Sequence, residues 1–341
     1  MDGRLGRFKA RRARRWLGFT PFLAQEQGMG RCFFLVLLML APPAPAQQLD
    51  PLHGALDAYA AYQAGVSASL DADIASPDAM DASLARAAQY DPARLARGRI
   101  AYGALTAAQS PSFVAGVRAR ARAKGAAAVV RQLLRDSTYA RRRPGGSAEA
   151  INLVVASIAA DTARLRAGRD HYEAIGQSIG AAAWNTPLDG AQREARQARL
   201  RALGDQTLLL APELAPRVHA TALAGAPLQD RDAFGGVGFW DGLAGRAPLP
   251  APTAPRLRSD RAQIMDRVLT LGALFAIGAT PAQGERANAM LDDPATSTCL
   301  AMQQLEFRQC VSVSHTPDED AFCLARHGLG GVGDCLGAMV Q

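Results

Sequence analysis

The segment Gly176-Gln-Ser178-Ile-Gly180 has the spacing that serine hydrolases place around their nucleophile. In such enzymes a sharp turn between a strand and a helix exposes the serine hydroxyl, and a histidine accepts its proton. Ser178 is therefore a candidate nucleophile, and His219, His315 or His327 is its candidate base. The residues around Ser178 follow a helical pattern, however, and the strand that the motif needs is missing.

His315 and the acidic run Asp318-Glu-Asp320 offer nitrogen and oxygen atoms of the kind that bind metal ions. Carboxylates in the first turn of a helix also interact favourably with the helix dipole, which explains the same run without a metal. No recurrent spacing supports His315, Asp318 and Asp320 as a ligand set. The sequence therefore predicts no metal and no cofactor, with these three residues as the metal candidates.

Aromatic residues stand close together in a glycine-rich segment that contains Phe234, Phe239 and Trp240. The segment belongs to the stretch 205–258, which is irregular and rich in proline, and long irregular stretches in compact domains are usually functional or disordered. The three aromatic side chains could line a ligand pocket. We expect them to fill the core instead, because buried aromatic residues most often do so.

Cysteines are the most informative residues of the C-terminal region. Four of the five lie there: Cys299, Cys310, Cys323 and Cys335. Cys299 and Cys310 share one face of a predicted helix but lie ~16 Å apart, which is too far for a disulfide. A turn at Thr316-Pro317 starts a second, antiparallel helix. Such a hairpin brings Cys310 to Cys323 and Cys299 to Cys335, so the sequence predicts two nested disulfides.

This pair of nested bridges is similar to the helical hairpins of twin-cysteine coiled-coil-helix proteins. The resemblance concerns geometry only, because ten and eleven residues separate the cysteines within the two helices and no further motif matches. A zinc site or a redox pair would need the short Cys-x-x-Cys spacing, which the sequence does not contain.

Residues 1–46 have the layout of a leader. Met29 precedes an apolar run from Cys32 to Ala41, and small residues at Ala44 and Ala46 follow it. A membrane-spanning helix needs ~20 apolar residues, twice the length of this run. We predict a signal peptide at 29–46, cleaved after Ala46, and a periplasmic or secreted protein without a membrane span after the leader is removed.

The distribution of charged residues and the amino-acid composition agree with that interpretation. Eight of the 38 cationic and two of the 31 acidic residues lie in the leader, so the rest of the chain has a net charge of only +1 and no nucleic-acid partner is predicted. Only Lys9 and Lys124 are lysines, and alanine is abundant, which is typical of a GC-rich bacterial genome.

Helix starts recur in one form, a capping residue followed by proline. The six examples are Asp50-Pro51, Ser76-Pro77, Asp91-Pro92, Ser110-Pro111, Asp293-Pro294 and Thr316-Pro317. Thr316 and Glu319 also have the spacing of a capping box. Since no convincing alternating strand pattern competes with these starts, the sequence predicts an all-α, multi-helix domain with a C-terminal disulfide-stapled antiparallel helical hairpin.

Three further helices are predicted from apolar periodicity and capping. One long amphipathic helix occupies about 147–183, a core helix occupies about 259–278, and an arginine-rich helix begins near Asp189 and stops at Gly204. The chain after the leader divides into a helical domain (47–243), a proline-rich connector (244–258) and a C-terminal unit (259–341). A single domain with a long surface excursion explains the pattern equally well.

No set of residues defines a reaction. The leading hypothesis is an exported bacterial protein that binds another protein or a component of the cell envelope and has no enzymatic activity. The first alternative is an envelope serine hydrolase that uses Ser178. The second is a small-molecule carrier that uses the stretch 205–258. The sequence predicts neither the partner nor the oligomeric state.

Overall fold

Proline is the first residue of six helices of the structure, at the positions that the sequence predicts. The structure is a computed structural model that describes residues 50–206, 208–223, 238–245 and 254–341. At five of the six starts the capping side chain accepts a hydrogen bond from an N–H of the first turn; these residues are Asp50, Ser76, Asp91, Ser110 and Asp293. The all-α prediction is confirmed, because the described residues contain no strand.

Fifteen α-helical segments follow one another in the described residues. They are α1 (Pro51–Leu70), α2 (Pro77–Ala88), α3 (Pro92–Ala107), α4 (Pro111–Lys124), α5 (Ala126–Arg135), α6 (Tyr139–Arg142), α7 (Ser147–Ile179), α8 (Gly190–Gly204), α9 (Ala215–Leu223), α10 (Phe239–Ala244), α11 (Ala262–Ala276), α12 (Gly284–Leu291), α13 (Pro294–Val313), α14 (Pro317–Cys323) and α15 (Val332–Leu336). A π-helical segment, Leu324–Gly331, joins α14 to α15. Short 3-10 turns precede α11 and α12.

The helices predicted from periodicity are present with small differences at their ends. The long helix α7 ends at Ile179, four residues before the predicted end. The predicted core helix begins with a 3-10 turn at Ser259–Arg261 and continues as α11. The arginine-rich helix α8 begins after Asp189, whose side chain forms a capping box with Gln192, and it ends at Gly204.

Helix α3 lies at the centre of the fold, against α1, α7, α11 and α13. Small residues along α3 and its neighbours allow the backbones to approach closely. A Cβ atom at Gly98 would lie 2.8 Å from the Ala55 carbonyl oxygen, and one at Gly272 of α11 would lie 2.8 Å from that of Ala104. The helices around α3 thereby bury one continuous core, and the residues from Gln47 onward form one compact unit.

The predicted C-terminal hairpin and both of its disulfides are confirmed. Helix α13 forms one arm, and α14, the π-helical segment and α15 form the other. Cys299 is bonded to Cys335 and Cys310 to Cys323, with Cα atoms 5.7 and 5.6 Å apart. Closing loops of 36 and 13 residues stabilises the folded state by about 4 and about 3 kcal/mol in the chain-entropy description.

The predicted capping box at Thr316 is wrong. The Thr316 side chain caps no N–H of α14. The Glu319 carboxylate instead accepts from the backbone N–H of His315, at 2.5 Å, one residue before the expected donor. Proline at the first position of α14 and the acidic first turn are sufficient to start this helix without the threonine cap.

A buried arginine joins the central helix to the hairpin. Arg99 of α3 is 1% exposed and donates to the Asp293 carboxylate at 2.5 Å and to the carbonyl oxygen of Leu336 at 3.0 Å. Although burial opposes it, the charge of Arg99 and the hydrogen bonds from Thr296 lower the pKa of Asp293. Both arms of the hairpin are therefore connected to α3 through one guanidinium.

Several predicted segments lie outside the described residues. These are the leader at 1–46, including the signal peptide at 29–46, and most of the proline-rich connector. The last residues of the connector are described, and Leu257 forms an isolated antiparallel bridge with Val340. Among the described helices, none combines the length and the apolar character that crossing a membrane requires.

Replacing Arg99 should destabilise the protein far more than replacing its neighbour Arg97. Arg99→Met leaves the buried Asp293 carboxylate with the more distant guanidinium of Arg267, 4.0 Å away, so we expect the free energy of unfolding to fall by about 3 kcal/mol. Arg97 pairs with the exposed Asp292 carboxylate, and Arg97→Met should cost no more than about 1 kcal/mol. Urea unfolding with the disulfides intact measures both; equal losses would contradict the assigned role of Arg99.

Candidate ligand-binding site

A buried polar network fixes the short helix α10 against α1 and α7. Arg164 of α7 is 2% exposed, and its Nε donates to the Asp241 carboxylate of α10 at 2.8 Å. The same guanidinium donates to the side chains of Gln63 (2.7 Å) and Ser67 on α1. A buried guanidinium needs such partners because its desolvation is otherwise uncompensated. Three helices are thus held together at one point.

Aromatic rings pack beside this network. Tyr59 and Tyr102 are stacked with ring centroids 5.0 Å apart, and the Trp240 ring lies 5.9 and 5.6 Å from them. The Tyr59 hydroxyl donates to the Asp161 carboxylate at 2.7 Å. Burial raises the pKa of Asp161 to about 7, although the hydrogen bond from Tyr59 and the charge of Arg164 oppose that rise.

An apolar pocket of about 220 Å³ opens next to Trp240, between α1, α9 and α10. Its lining residues come from three parts of the chain: Ala60, Ala64, Ser67, Ala68, Asp71, Leu210, Leu214, Val218, Trp240 and Leu243. The alanines of α1 leave the space, and the indole ring of Trp240 forms one wall. Ser67 belongs both to the pocket and to the Arg164 network, so the wall and the network are connected.

Helix α9 forms another wall of the pocket and is attached to α1 by histidines. The Nε2 atom of His219 lies 2.6 Å from the Asp57 carboxylate. The ring of His53 packs at an angle against that of His219, with centroids 5.5 Å apart, and burial lowers the pKa of His53. These contacts position Val218, which is 1% exposed, at the inner side of the pocket.

Ser178 lies in the last turn of α7, where it is exposed and its hydroxyl donates to the carbonyl oxygen of Ile175 at 2.9 Å. The three candidate bases have other partners. His219, His315 and His327 are paired with Asp57, Glu319 and Glu306. The structure therefore does not bring Ser178 together with a histidine, and the serine is not at a turn between a strand and a helix.

The three metal candidates interact with different partners in the structure. Asp320 is fully buried and accepts from Arg196 of α8 and from the Ser314 hydroxyl. Asp318 accepts from the side chain of Asn185 at 2.8 Å. Among the described residues, no group of three or more histidines, cysteines and acidic residues is arranged to hold a metal ion. The carboxylates of Asp318 and Asp320 thus bind neighbouring side chains of the protein.

Two of the three predicted aromatic candidates lie in the part of the chain that the structure describes. Phe234 lies outside the described residues. Phe239 and Trp240 are buried, 3% and 5% exposed, with ring centroids 4.6 Å apart. Both therefore contribute to the core, as expected, and Trp240 in addition forms a wall of the apolar pocket.

Sequence reasoning missed the polar network, although one signal was available. Asp161 and Arg164 fall on the apolar face of α7, between Ile158 and Leu165. Charged residues on the buried face of a helix need partners, so their position alone indicates a buried ion pair. Their partners come from distant helices, and the sequence offers no way to identify Asp241 or Gln63 among the other polar residues.

Comparisons with known proteins found no matching family model, no similar curated protein and no similar solved structure. The residues that line the pocket form an apolar concave site beside the Arg164 network.

Replacing Asp161 should flatten the pH dependence of stability. Since its pKa is about 7 in the folded protein and near 4 in an unfolded chain, the unfolded state loses the proton first. The contribution of Asp161 to the free energy of unfolding is therefore fully present below pH 4. It is lost as the pH rises from 4 to 7, which lowers the free energy of unfolding by at most about 4 kcal/mol. Asp161→Asn still accepts a hydrogen bond from Tyr59 but cannot ionise, so its unfolding free energy should fall less between pH 4 and pH 8.

Asp73, an exposed aspartate, provides the control for this measurement. Asp73→Asn should follow the wild-type curve of unfolding free energy against pH. The assigned state of Asp161 is wrong if the Asp161→Asn and wild-type curves run parallel over that range.

Proposed function

We propose that the protein is an exported binding protein without enzymatic activity, which holds an apolar group of a small molecule in the pocket between α1, α9 and α10. The observation that supports this function is the chemistry of the pocket. Eight of its ten lining residues are apolar, and Ser67 and Asp71 are the polar ones. An apolar cavity with few polar groups is the usual form of a small-ligand site.

The size of the pocket limits the ligand. A dry apolar cavity of about 150 Å³ accommodates benzene. The 220 Å³ available here is therefore suited to one or two rings or a short alkyl chain, with the remainder of the ligand at the pocket mouth. Transfer of an apolar group into the pocket contributes about 25 cal/mol for each Å² removed from water.

The stretch 205–258, which the sequence indicates as a possible carrier site, supplies part of the pocket lining. Half of its lining residues lie between 205 and 258: Leu210, Leu214, Val218, Trp240 and Leu243. This favours the small-molecule carrier over the other functional alternatives. The serine hydrolase receives no comparable support, because the Ser178 hydroxyl is bonded within its own helix and no histidine accompanies it.

Two disulfides support the export part of the proposal, since such bonds form and persist in oxidising compartments. When the full chain is expressed in a bacterial host, we expect a periplasmic or secreted product that begins at Gln47. Cys32 is removed with the leader, so alkylation without reduction should detect no free thiol. A chain without residues 29–46 is the control and should remain in the cytosol.

Recovery of wild-type protein from the cytosol with residues 29–46 attached would contradict export. So would four reactive thiols in the unreduced product, because the hairpin would then have formed without its disulfides.

Filling the pocket should weaken ligand binding. In a chain that starts at Gln47 and contains Trp184→Phe, Trp240 is the one remaining tryptophan. We expect the uncharged dye N-phenyl-1-naphthylamine to bind and to receive energy from excited Trp240. Ala64→Phe fills the space beside Trp240 and should weaken dye binding at least tenfold.

Ala123→Phe adds the same ring at an exposed position of α4 and should leave dye affinity unchanged. Equal affinity in the Ala64→Phe variant, or no energy transfer from Trp240, would refute the pocket as the binding site. Fluorophosphonate labelling that disappears in Ser178→Ala would show an enzyme and would refute the non-enzymatic part of the proposal.

A further inference from the structure

Apolar side chains form an exposed stripe along α13. Met302, Leu305 and Val313 are 48%, 42% and 71% exposed, and they are three of the five exposed large apolar residues among those the structure describes. Together with Gln309 they occupy positions i, i+3, i+7 and i+11 of the helix, which lie on one face. The opposite face of α13 is buried through Leu300, Phe307 and Val311. We name this exposed set the α13 stripe.

A groove of about 320 Å³ lies between α8 and α13, and Leu305 and Gln309 of the α13 stripe line it. Its lining includes Arg201 of α8 and Arg308 of α13 and contains no acidic residue. Within the described residues, neither guanidinium is paired with a carboxylate. Gln197 of α8 donates across the groove to the carbonyl oxygen of Ser312 at 3.3 Å, and within α8 it accepts from Arg201 at 3.4 Å.

Both walls of this groove are rigidly supported. The disulfides at Cys299 and Cys310 attach α13 to the second arm of the hairpin. Helix α8 is attached through Arg196, which is 9% exposed and is paired with Asp320 and, at 3.1 Å, with Asp81. A partner would therefore lose little of its binding free energy to ordering of the groove.

We propose that this groove binds an acidic amphipathic helix of a partner protein. The α13 stripe extends over the twelve residues from Met302 to Val313, a rise of ~16 Å, which corresponds to about three turns of a bound helix. A helix that lies in a groove uses apolar residues at positions i, i+3 or i+4, and i+7 for such contacts. Its flanking carboxylates would pair with Arg201 and Arg308, which lack such partners. A bilayer fits less well, because a flat surface cannot reach the floor of a groove between two helices.

Selection from a library of displayed 20-residue helices tests the proposal with the disulfide-intact chain that starts at Gln47 as the target. The library should have random residues at all positions of one helical face. We expect the enriched peptides to have a net negative charge and apolar residues at positions i, i+3 or i+4, and i+7. The affinity of one enriched peptide is then measured by fluorescence anisotropy.

Matched variants locate the peptide on the surface. Leu305→Ser and Arg201→Glu should each weaken its binding at least tenfold. Leu209→Ser changes an apolar residue that is 75% exposed but does not line the groove, and Arg199→Glu changes an exposed arginine elsewhere on α8; both should alter affinity less than twofold. Arg201→Gln is a milder variant that should weaken binding threefold or more if Arg201→Glu disturbs the helix.

Three outcomes would overturn the proposal. The first is enrichment of peptides without a negative charge. The second is equal sensitivity of binding to the groove variants and to their controls. The third is binding of anionic phosphatidylglycerol vesicles that depends on Leu305 and Arg201 when no acidic peptide is enriched. The groove shares no residue with the apolar pocket, so each outcome is independent of dye binding there.

Discussion

The fold depends on pairing each deeply buried arginine with a carboxylate from a distant part of the chain. Arg99, Arg164 and Arg196 lie on three different helices, and all are at most 9% exposed. Their partners are Asp293, Asp241 and Asp320. An unpaired guanidinium inside the protein would be strongly unfavourable, so each arginine disfavours arrangements of its helix that separate it from its carboxylate. Packing of alanine-rich helices alone would specify their register less sharply.

The two proposed binding sites depend on these same pairs. Asp241 follows Trp240 in the chain, so its bond to Arg164 determines where the indole wall of the pocket lies. Arg196 positions α8, and α8 supplies one side of the groove along α13. Residues that bind a ligand are thus held by charges that never contact it. A small displacement of either pair would alter a binding surface several residues away.

Local chemistry allowed much of the fold to be predicted from the sequence. Proline after a capping residue determines a helix start within a few residues, and hairpin symmetry selects the partner of each cysteine. For the apolar pocket, the sequence indicated the stretch 205–258 as a possible carrier site but not the α1 wall, because α9 and α10 form the pocket only after they pack on α1. The capping box at Thr316 failed since Glu319 reaches the neighbouring N–H of His315, a choice that depends on the conformation of the turn.

The position of Asp293 relative to Arg99 also affects the order of folding. These residues are separated by 194 positions, and α3 has α11 and α13 among its main neighbours. While residues 262–313 are still being synthesised, the central helix has no surface against which to complete its burial. Contacts of such high sequence separation make folding slow. A nascent chain of this kind therefore lacks its complete core until α13 has left the ribosome.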